Sequence, residues 1–477
     1  MRISEHPILT FKRGREIQFT FDGVPIKTYE GETIAAALHA SGIRILSRSL
    51  RRHRPRGFFC AIGKCSSCLM EVDGVPNVKT CMVLVRDGMV VKSQTGWGRL
   101  PTSAKTTDFG RREIPTFSTE VAIVGGGPAG LSAAIYAARL GTSVMLFDEN
   151  PIIGGQLIKQ THMFFGAREH YAKIRGIDIG DKLIELINEL DIQLLTEASV
   201  IGYFEPHILA IIHNGQLKQV KTKKVIIATG AAENMLAFEN NDLPGVYGAG
   251  AVQTLMNVYG ILPGENILMV GAGNIGVIVS YQLLQAAANV VAVVEALPTI
   301  GAYQVHASKI ARVGVPILTS HTIQRAIGKD QVQGAIIVQI DENWQEIPGT
   351  ERALKVDTIC LSVGLNPSSE ILFQAGCEMC YIPALGGNVA LHDENLETTV
   401  PGLYVAGDVS GIEEASSAML EGRLAGIAAA ESLKGETEET RRLKEEVRKG
   451  LQELRRGPFG EKTRAGNAQL YEELLKA

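Results

Sequence analysis

Four of the seven cysteines fall in one string, CAIGKCSSCLMEVDGVPNVKTC, which sets Cys60, Cys65, Cys68 and Cys81 at spacing C-x4-C-x2-C-x12-C. A loop with four and then two intervening residues lets three thiolates converge, and a hairpin turning at Asp73-Gly74 returns the fourth. The first three spacings match the plant-type [2Fe-2S] pattern, whose soft thiolates suit iron. Ala61, Gly63, Ser66 and Ser67 leave room for an inorganic core and for backbone amides to reach its sulfurs. Structural zinc is the competing metal, but such sites pair CxxC with a second compact ligand pair, and no second CxxC lies nearby. Cys377 and Cys380 form a lone CxxC between a predicted helix and a predicted strand. No helix N-terminus is expected there to depress a thiol, so they read as ordinary cysteines. Cys360 sits in an apolar strand and reads as core.

Two glycine strings offer phosphate chemistry. In VAIVGGGPAG, Gly125 allows the tight turn, Gly127 admits a pyrophosphate close to backbone, and Gly130 permits helix-strand packing. Pro128 suits the first helical turn, Ala129 follows it, and the helix N-terminus would face the phosphates. Asp148 ends the strand SVMLFD, where a carboxylate can hold a ribose hydroxyl, with Glu149 as the neighbouring alternative. The second string, NILMVGAGNIG, supplies Gly271, Gly273, Asn274, Ile275 and Gly276, and Glu295 closes the strand VVAVVE. An acid there favours NAD over NADP by repelling a 2′-phosphate. The alternative for this copy is a domain that keeps its glycines for packing alone.

The elements that must position these groups are legible in part. Residues 16–29 read as a hairpin about Asp22-Gly23, and residues 32–40 as a helix stopping before Gly42. A strand is expected near residues 82–85. Residues 97–118 show no periodicity and read as a linker. Beyond them, residues 120–124, 143–148, 225–229, 267–270, 290–295, 358–361 and 403–406 are strand candidates, several followed by helical segments, the alternation of doubly wound α/β domains. After residue 433 the chain becomes charged helix, with Leu443, Val447, Leu451 and Leu454 along one face.

The fold class expected is thus α/β joined to α+β: a β-grasp [2Fe-2S] ferredoxin domain (1–98), a linker (99–117) and a two-dinucleotide-domain, Rossmann-like flavoprotein. A resemblance of the two glycine strings and their setting to the two-dinucleotide flavoprotein reductases of the thioredoxin-reductase type implies that an FAD-binding domain in two parts (118–245 and 361–435) surrounds an NAD-type domain (246–360), and residues 436–477 are expected to form a helical tail. The 477 residues suit about three domains. The 51 glycines suit several tight strand-to-helix turns. A net charge of −4 argues against a polyanionic partner, and nucleic acid is excluded although six arginines and His53 crowd residues 44–56. A phosphate or an acidic partner surface is expected against those guanidiniums. Residues 267–294 carry no charge, but glycines at dinucleotide spacing make them a βαβ unit rather than a membrane span. The N-terminus lacks a secretory pattern, so a cytoplasmic location is expected.

The order GGGPAG, then Gly154-Gly155-Gln156, then Ala228-Thr229-Gly230, then GAGNIG, then GLYVAGD ending in Gly407-Asp408, resembles the two-dinucleotide flavoprotein reductases of the thioredoxin-reductase type over about residues 120–433. The resemblance implies that Asp408 binds the flavin ribityl or pyrophosphate region and that Gly155 and Gln156 lie near the flavin. The redox CxxC of those reductases is missing from the NAD-type domain, where ALPTIGAY follows Glu295. The whole architecture is more similar still to the α subunits of heteromeric sarcosine oxidases, dye-linked L-proline dehydrogenases, opine oxidases and hydrogen cyanide synthases. The similarity rests on Arg48-Ser49 and HRPRG (53–57) before the cluster loop and on FENNDLPGV (238–246). Several of those relatives add a further cysteine-rich segment at the C-terminus, absent from this sequence.

That resemblance implies an electron-transferring subunit holding a [2Fe-2S] cluster and FAD, with FMN at a subunit interface and NAD or ATP as further nucleotides. Its partner would be an amino-acid-oxidase-like flavoprotein β subunit that oxidises a small amine. No catalytic side chain is nominated. A self-sufficient NADH-dependent acceptor reductase is the second expectation, resting on the second fingerprint and Glu295.

Overall fold

The computed structural model describes residues 1–99, 113–164 and 168–476, in two compact units, one of residues 1–108 with 233–364 and the other of residues 109–232 with 365–477. Most of the expected linker, residues 100–112, lies outside the described residues. Its last part does not: Thr116–Ser118 is a strand paired with Gln216–Lys221, because alternate extended residues can add to an open sheet edge.

In the first unit the hairpin forms as expected, Glu16–Phe21 against Val24–Tyr29, with Asp22 and Gly23 both at positive φ (49° and 81°), the geometry an Asp-Gly turn supplies. The N-terminal sheet runs Val24–Tyr29, Glu16–Phe21, Val90–Ser93, Leu69–Val72, Val75–Lys79, a β-grasp around one helix. That helix, Ile34–Ala40, starts at Thr33, whose hydroxyl accepts from the Ala36 N–H, and its side chains from Ile34 to His39 are buried. Residues 82–85 are not the expected strand. They wrap the helix start instead, Val83 accepting from the Ile34 N–H at 2.9 Å and Glu32 from the Val85 N–H at 2.9 Å, so their apolar run serves a turn of core contact.

The same unit holds a five-stranded parallel sheet ordered Val246–Gly248, Thr358–Leu361, Asn266–Val270, Asn289–Glu295, Ile317–Thr319. The uncharged stretch 267–294 is a strand, the helix Asn274–Gln285 and a second strand. Among the described residues no helix is long and apolar enough to cross a membrane. The N-terminal module and this sheet share one core: Ile34, Leu38 and Met70 cluster with Tyr247, Val252 and Met256, and His39 Nε2 lies 3.1 Å from the Leu262 carbonyl.

The second unit repeats the parallel plan with Ile192–Leu195, Val144–Phe147, Val121–Val124, Lys224–Ile227 and Leu403–Val405. All seven strand candidates of the sequence are present across the two sheets. The helix Ala415–Lys434 crosses Pro128–Arg139 closely: a Cβ at Gly422 or Gly426 would overlap the Ala129 or Ala133 carbonyl oxygen. The tail is two helices rather than one, Glu438–Leu454 and Glu461–Leu474, broken at Gly457 (φ 83°) and Pro458. Val447 and Leu451 bury the face expected of them, with Leu443 and Leu454 packed alongside.

Candidate cluster and dinucleotide sites

The cysteine loop departs from Phe59, whose carbonyl accepts from the Gly248 N–H at 3.0 Å. Ala61, Gly63 and Ser66 take left-handed φ (56°, 69° and 57°), unusual for the two non-glycines. These turns curl residues 60–68 so that Cys60, Cys68 and Cys81 are buried and Cys65 half-buried. Cys81 arrives on the return of the Leu69–Val72 and Val75–Lys79 hairpin, where Thr80 donates through its hydroxyl to the Cys68 carbonyl at 2.7 Å.

The thiols interact in a chain, Cys65 with Cys60, Cys60 with Cys81 and Cys81 with Cys68. Hydrogen bonds from the Cys65 and Cys81 thiols pull Cys60 down to about 2 despite burial, aided by the Ile62 and Cys65 amides. The Cys65 N–H donates to Cys60 Sγ at 3.4 Å. Cys68 is drawn down to about 7 by Cys81, while Cys65 and Cys81, as the donors, are pushed up. Four adjacent thiols with amide donors aimed at sulfur fit a cluster that takes four thiolates. Among the described residues no three His, Cys, Asp or Glu side chains close on a single ion, and a two-iron cluster asks instead for two sulfurs at each iron.

The first glycine loop has the geometry a pyrophosphate needs. Gly125 turns at φ 106°, Gly127 caps the helix with Pro128 in its first turn, and a Cβ at Gly130 would overlap the Gly125 carbonyl oxygen. Ala129 is buried beneath the Ala415–Lys434 helix, which explains its small side chain. The Asp148 carboxylate is buried and accepts from the Gly126 N–H (2.7 Å), the Asn150 N–H (2.7 Å) and the Asn150 side chain (2.9 Å), so it braces the loop from within. Burial pushes its pKa up. Glu149 is exposed beside it, as is Gln156. Gly155 (φ 56°) crosses the loop so closely that its Cβ would sit 2.7 Å from the Gly127 Cα.

Thr229 donates to the Ser368 carbonyl at 2.7 Å, and Gly230 accepts from the Ser368 N–H at 2.9 Å. The Gly407 N–H donates to Glu421 at 2.9 Å, and burial pushes the neighbouring Asp408 carboxyl up to about 7. Glu421 and Glu413 both clasp Arg455, at the end of the first tail helix, at 2.5 and 2.7 Å. Sequence reasoning does not single out this largely buried triad, because nothing local in the tail reveals that its arginine reaches two acids on another segment.

The second loop matches the first position by position. Gly271 has φ 104°, and a Cβ at Gly276 would overlap the Gly271 carbonyl oxygen. The Glu295 carboxylate accepts from the Ala272 N–H at 2.7 Å and from the Leu297 N–H at 3.0 Å. Space above Gly273 is open, Asn274 accepts from the Tyr303 N–H at 2.8 Å, and Ile275 is exposed. The segment ALPTIGAY takes the place of the first copy's ENPIIGGQ, with Gly301 lying near Gly273 as Gly155 lies near Gly127.

At its base the arginine run is engaged within the chain. Arg54 grips Asp242 through two bonds (2.7 and 2.6 Å) and reaches Asn240 at 2.9 Å, Arg56 meets the same Asp242 at 2.6 Å, and Arg44 donates to the Asp357 carbonyl at 3.2 Å. The two signature segments of the sequence, 53–57 and 238–246, are thus partners of one another. Gly57 permits their approach, since its Cβ would stand 2.8 Å from the Pro244 Cα. Cys360 is buried in its strand; Cys377 is buried against Thr398 and Cys380 lies half-buried in the Met379–Ile382 strand, with no disulfide between them.

Two parallel sheets with duplicated phosphate loops, and a four-thiol loop on a β-grasp module, define a flavin-type oxidoreductase joined to an iron-sulfur domain. Residues 119–422 match the family model described as pyridine nucleotide-disulphide oxidoreductase, and the chain belongs to that family. Residues 14–96 match the model for a 2Fe-2S iron-sulfur cluster binding domain. The sarcosine oxidase α subunit of Corynebacterium sp. (strain U-96) is 29% identical over 438 residues, 86% of this chain and 43% of that one. The opine oxidase of Agrobacterium tumefaciens (strain Ach5) has a component 28% identical over 336 residues, 66% of each chain. The crystal structure of L-proline dehydrogenase from P. horikoshii superposes with a TM-score of 0.69 at 25% identity, covering 93% of this chain and 79% of that one. This chain spans less than half the length of the sarcosine oxidase α relatives it matches.

Proposed function

We propose that the chain is the electron-carrying subunit of a heteromeric amine or amino-acid dehydrogenase of the proline, sarcosine or opine class, acting beside an amino-acid-oxidase-like β subunit. The observation that carries this reading is the four-thiol loop packed on the nucleotide-binding domain, in a chain similar along most of its length to an L-proline dehydrogenase. In this reading residues 1–98 hold the cluster through Cys60, Cys65, Cys68 and Cys81. Residues 118–245 and 361–435 hold FAD, and residues 246–360 form the second nucleotide site, for NAD or ATP. FMN at the subunit interface belongs to the same proposal.

When bound, a flavin accepts two electrons and releases them singly, and a [2Fe-2S] cluster relays one at a time. The chain's own residues hold and tune. Amides of Ile62 and Cys65 stabilise thiolate charge at Cys60, Gly127 and Gly273 leave backbone open to phosphates, and Asp148 and Glu295 keep each loop in its binding shape. Thiol-disulfide chemistry has no support, since the second nucleotide domain lacks a CxxC and the Cys377 thiol is pushed up by burial.

A second reading, an NADH-dependent acceptor reductase, is favoured by the equivalence of the two glycine loops. Anaerobic titration with NADH, following flavin and cluster absorbance, separates the two. Bleaching by NADH alone supports the reductase. Bleaching only by a secondary amine in the presence of the β subunit supports the dehydrogenase reading, and bleaching by neither, with both cofactors verified, sinks both.

A further inference from the structure

The arginine hairpin has a braced base and a solvent-exposed tip. Its strands, Ser47–Arg48 and Pro55–Arg56, are short. The tip is closed by Ser49, which accepts the His53 N–H at 3.0 Å and, through its side chain, the Arg54 N–H at 3.0 Å, with His53 at φ 50°. The base is held twice, by Arg54 and Arg56 on Asp242 and by Ser47, whose hydroxyl donates to the Ser67 carbonyl of the cysteine loop at 2.6 Å. Leu50, Arg51, Arg52 and His53 are therefore presented to solvent on a fixed pedestal beside that loop.

The cysteine loop that the hairpin base braces carries further cations. Lys64 and Lys79 are exposed on the cysteine loop and its return strand, the Lys79 side chain lying over Gly63. Arg48 is half-exposed, donates to the His53 carbonyl at 3.2 Å and stands 3.9 Å from Asp330, and Glu239 and Asp242 border the groove that Arg51 and Arg52 line. Cys65, the least buried of the four thiols, follows Lys64 in the loop that Ser47 anchors through Ser67.

We propose that residues 50–53 with the Lys64 rim form the docking face for an acidic one-electron carrier protein, which takes electrons from the cluster at its Cys65 edge. Arginines held on a rigid turn lose little freedom on meeting carboxylates, and exposed Leu50 supplies the apolar contact that such faces carry among their charges. Each encounter moves one electron and no proton, from the reduced cluster to the carrier's oxidised centre. Two encounters therefore clear the pair released by one amine oxidation. This rests on the cluster reading above.

The test is binding of the full chain to an acidic plant-type ferredoxin, with basic cytochrome c as control, by biolayer interferometry. Runs at ionic strengths of about 0.01 M and about 1 M compare screening lengths of about 30 Å and 3 Å. The expected result is ferredoxin binding that weakens at least about tenfold at high salt, and about tenfold in Arg51→Glu/Arg52→Glu at low salt, without cytochrome c binding. Binding unchanged by the double reversal, no ferredoxin binding at low salt, or equal binding of cytochrome c would overturn the proposal. Electron paramagnetic resonance of the dithionite-reduced chain separates the two levels. Absence of a [2Fe-2S] signal sinks the cluster reading, whereas a normal signal with salt-insensitive binding sinks the docking face alone.

Discussion

Replacing Asp242 by alanine removes the single acid on which Arg54 and Arg56 converge, and with it three charge-assisted hydrogen bonds of 2.6–2.7 Å. An exposed ion pair contributes about 0–1 kcal/mol, whereas stripping one partner from a buried pair costs about 3–5 kcal/mol. Here the acid is 15% exposed and the arginines 35% and 32%, which places the loss between those limits, at about 2 kcal/mol. In a unit of this size each kcal/mol moves the midpoint by about 2–4 °C, so the first calorimetric transition should fall by about 4–8 °C. Asp242→Asn, which keeps an acceptor and loses the charge, should fall by about half as much. A double-mutant cycle with Arg54→Met should show a coupling of at least about 1 kcal/mol. Iron content per chain should drop with Asp242→Ala, because the hairpin base also anchors Ser67. If Asp242→Ala melts within about 1 °C of the parent and keeps its iron, the brace contributes nothing and the reasoning fails.

Further expectations concern the nucleotide loops, the tail and acid. Gly130→Ala should abolish retained flavin while leaving the visible cluster spectrum, and Gly276→Ala should spare both but remove any NADH response; loss of flavin in both variants would contradict the separate assignments. Arg455→Met strands Glu413 and Glu421 in the interior, which should cost about 3–5 kcal/mol and lower the flavin-to-protein ratio through the Gly407 contact. Burial opposes ionisation of Asp242, yet Arg54 and Arg56 hold its pKa below the ordinary value, so the brace should stabilise above about pH 4 and be lost as pH falls through the depressed pKa. In Asp242→Ala that acid-dependent part of the melting curve should flatten. Cys377→Ser with Cys380→Ser should leave electron transfer to a dye acceptor unchanged within about twofold, since a 1.4 kcal/mol effect would read as tenfold.

The features legible in the sequence are those whose physics is local. Asp22-Gly23 dictates its own turn, Gly125 and Gly271 their own φ, and the x4 and x2 spacings their own loop. What escapes depends on partners far along the chain. Residues 82–85 have the apolar content of a strand, but their neighbours are the helix start at Ile34, not another strand. The arginine run invites an external ligand because Asp242 is nearly two hundred residues away. One omission is avoidable: Ile208–His213 and Gln216–Lys221 flank Asn214-Gly215, a strong hairpin signal absent from the strand candidates above. Asp148 and Glu295 have the positions of ribose-binding acids, and their engagement by the loop amides is visible only in three dimensions.

The brace between the cysteine hairpin and the 238–246 loop bears on how such chains are taken apart and recombined. Residues 1–98 look like a detachable cassette, yet Phe59 and Cys60 sit in one cluster with Leu243, Val246 and Leu268, and Ile34 and Leu38 in another with Tyr247 and Met256. Excising the cassette would bare those surfaces to water and leave Arg54 and Arg56 facing nothing. Grafting it onto a foreign reductase would succeed only if the recipient brought its own Asp242 loop, with room at the Gly57 position. Inheritance of the iron-sulfur module should therefore run as a pair of separated segments, so that exchange of one without the other yields an insoluble hybrid.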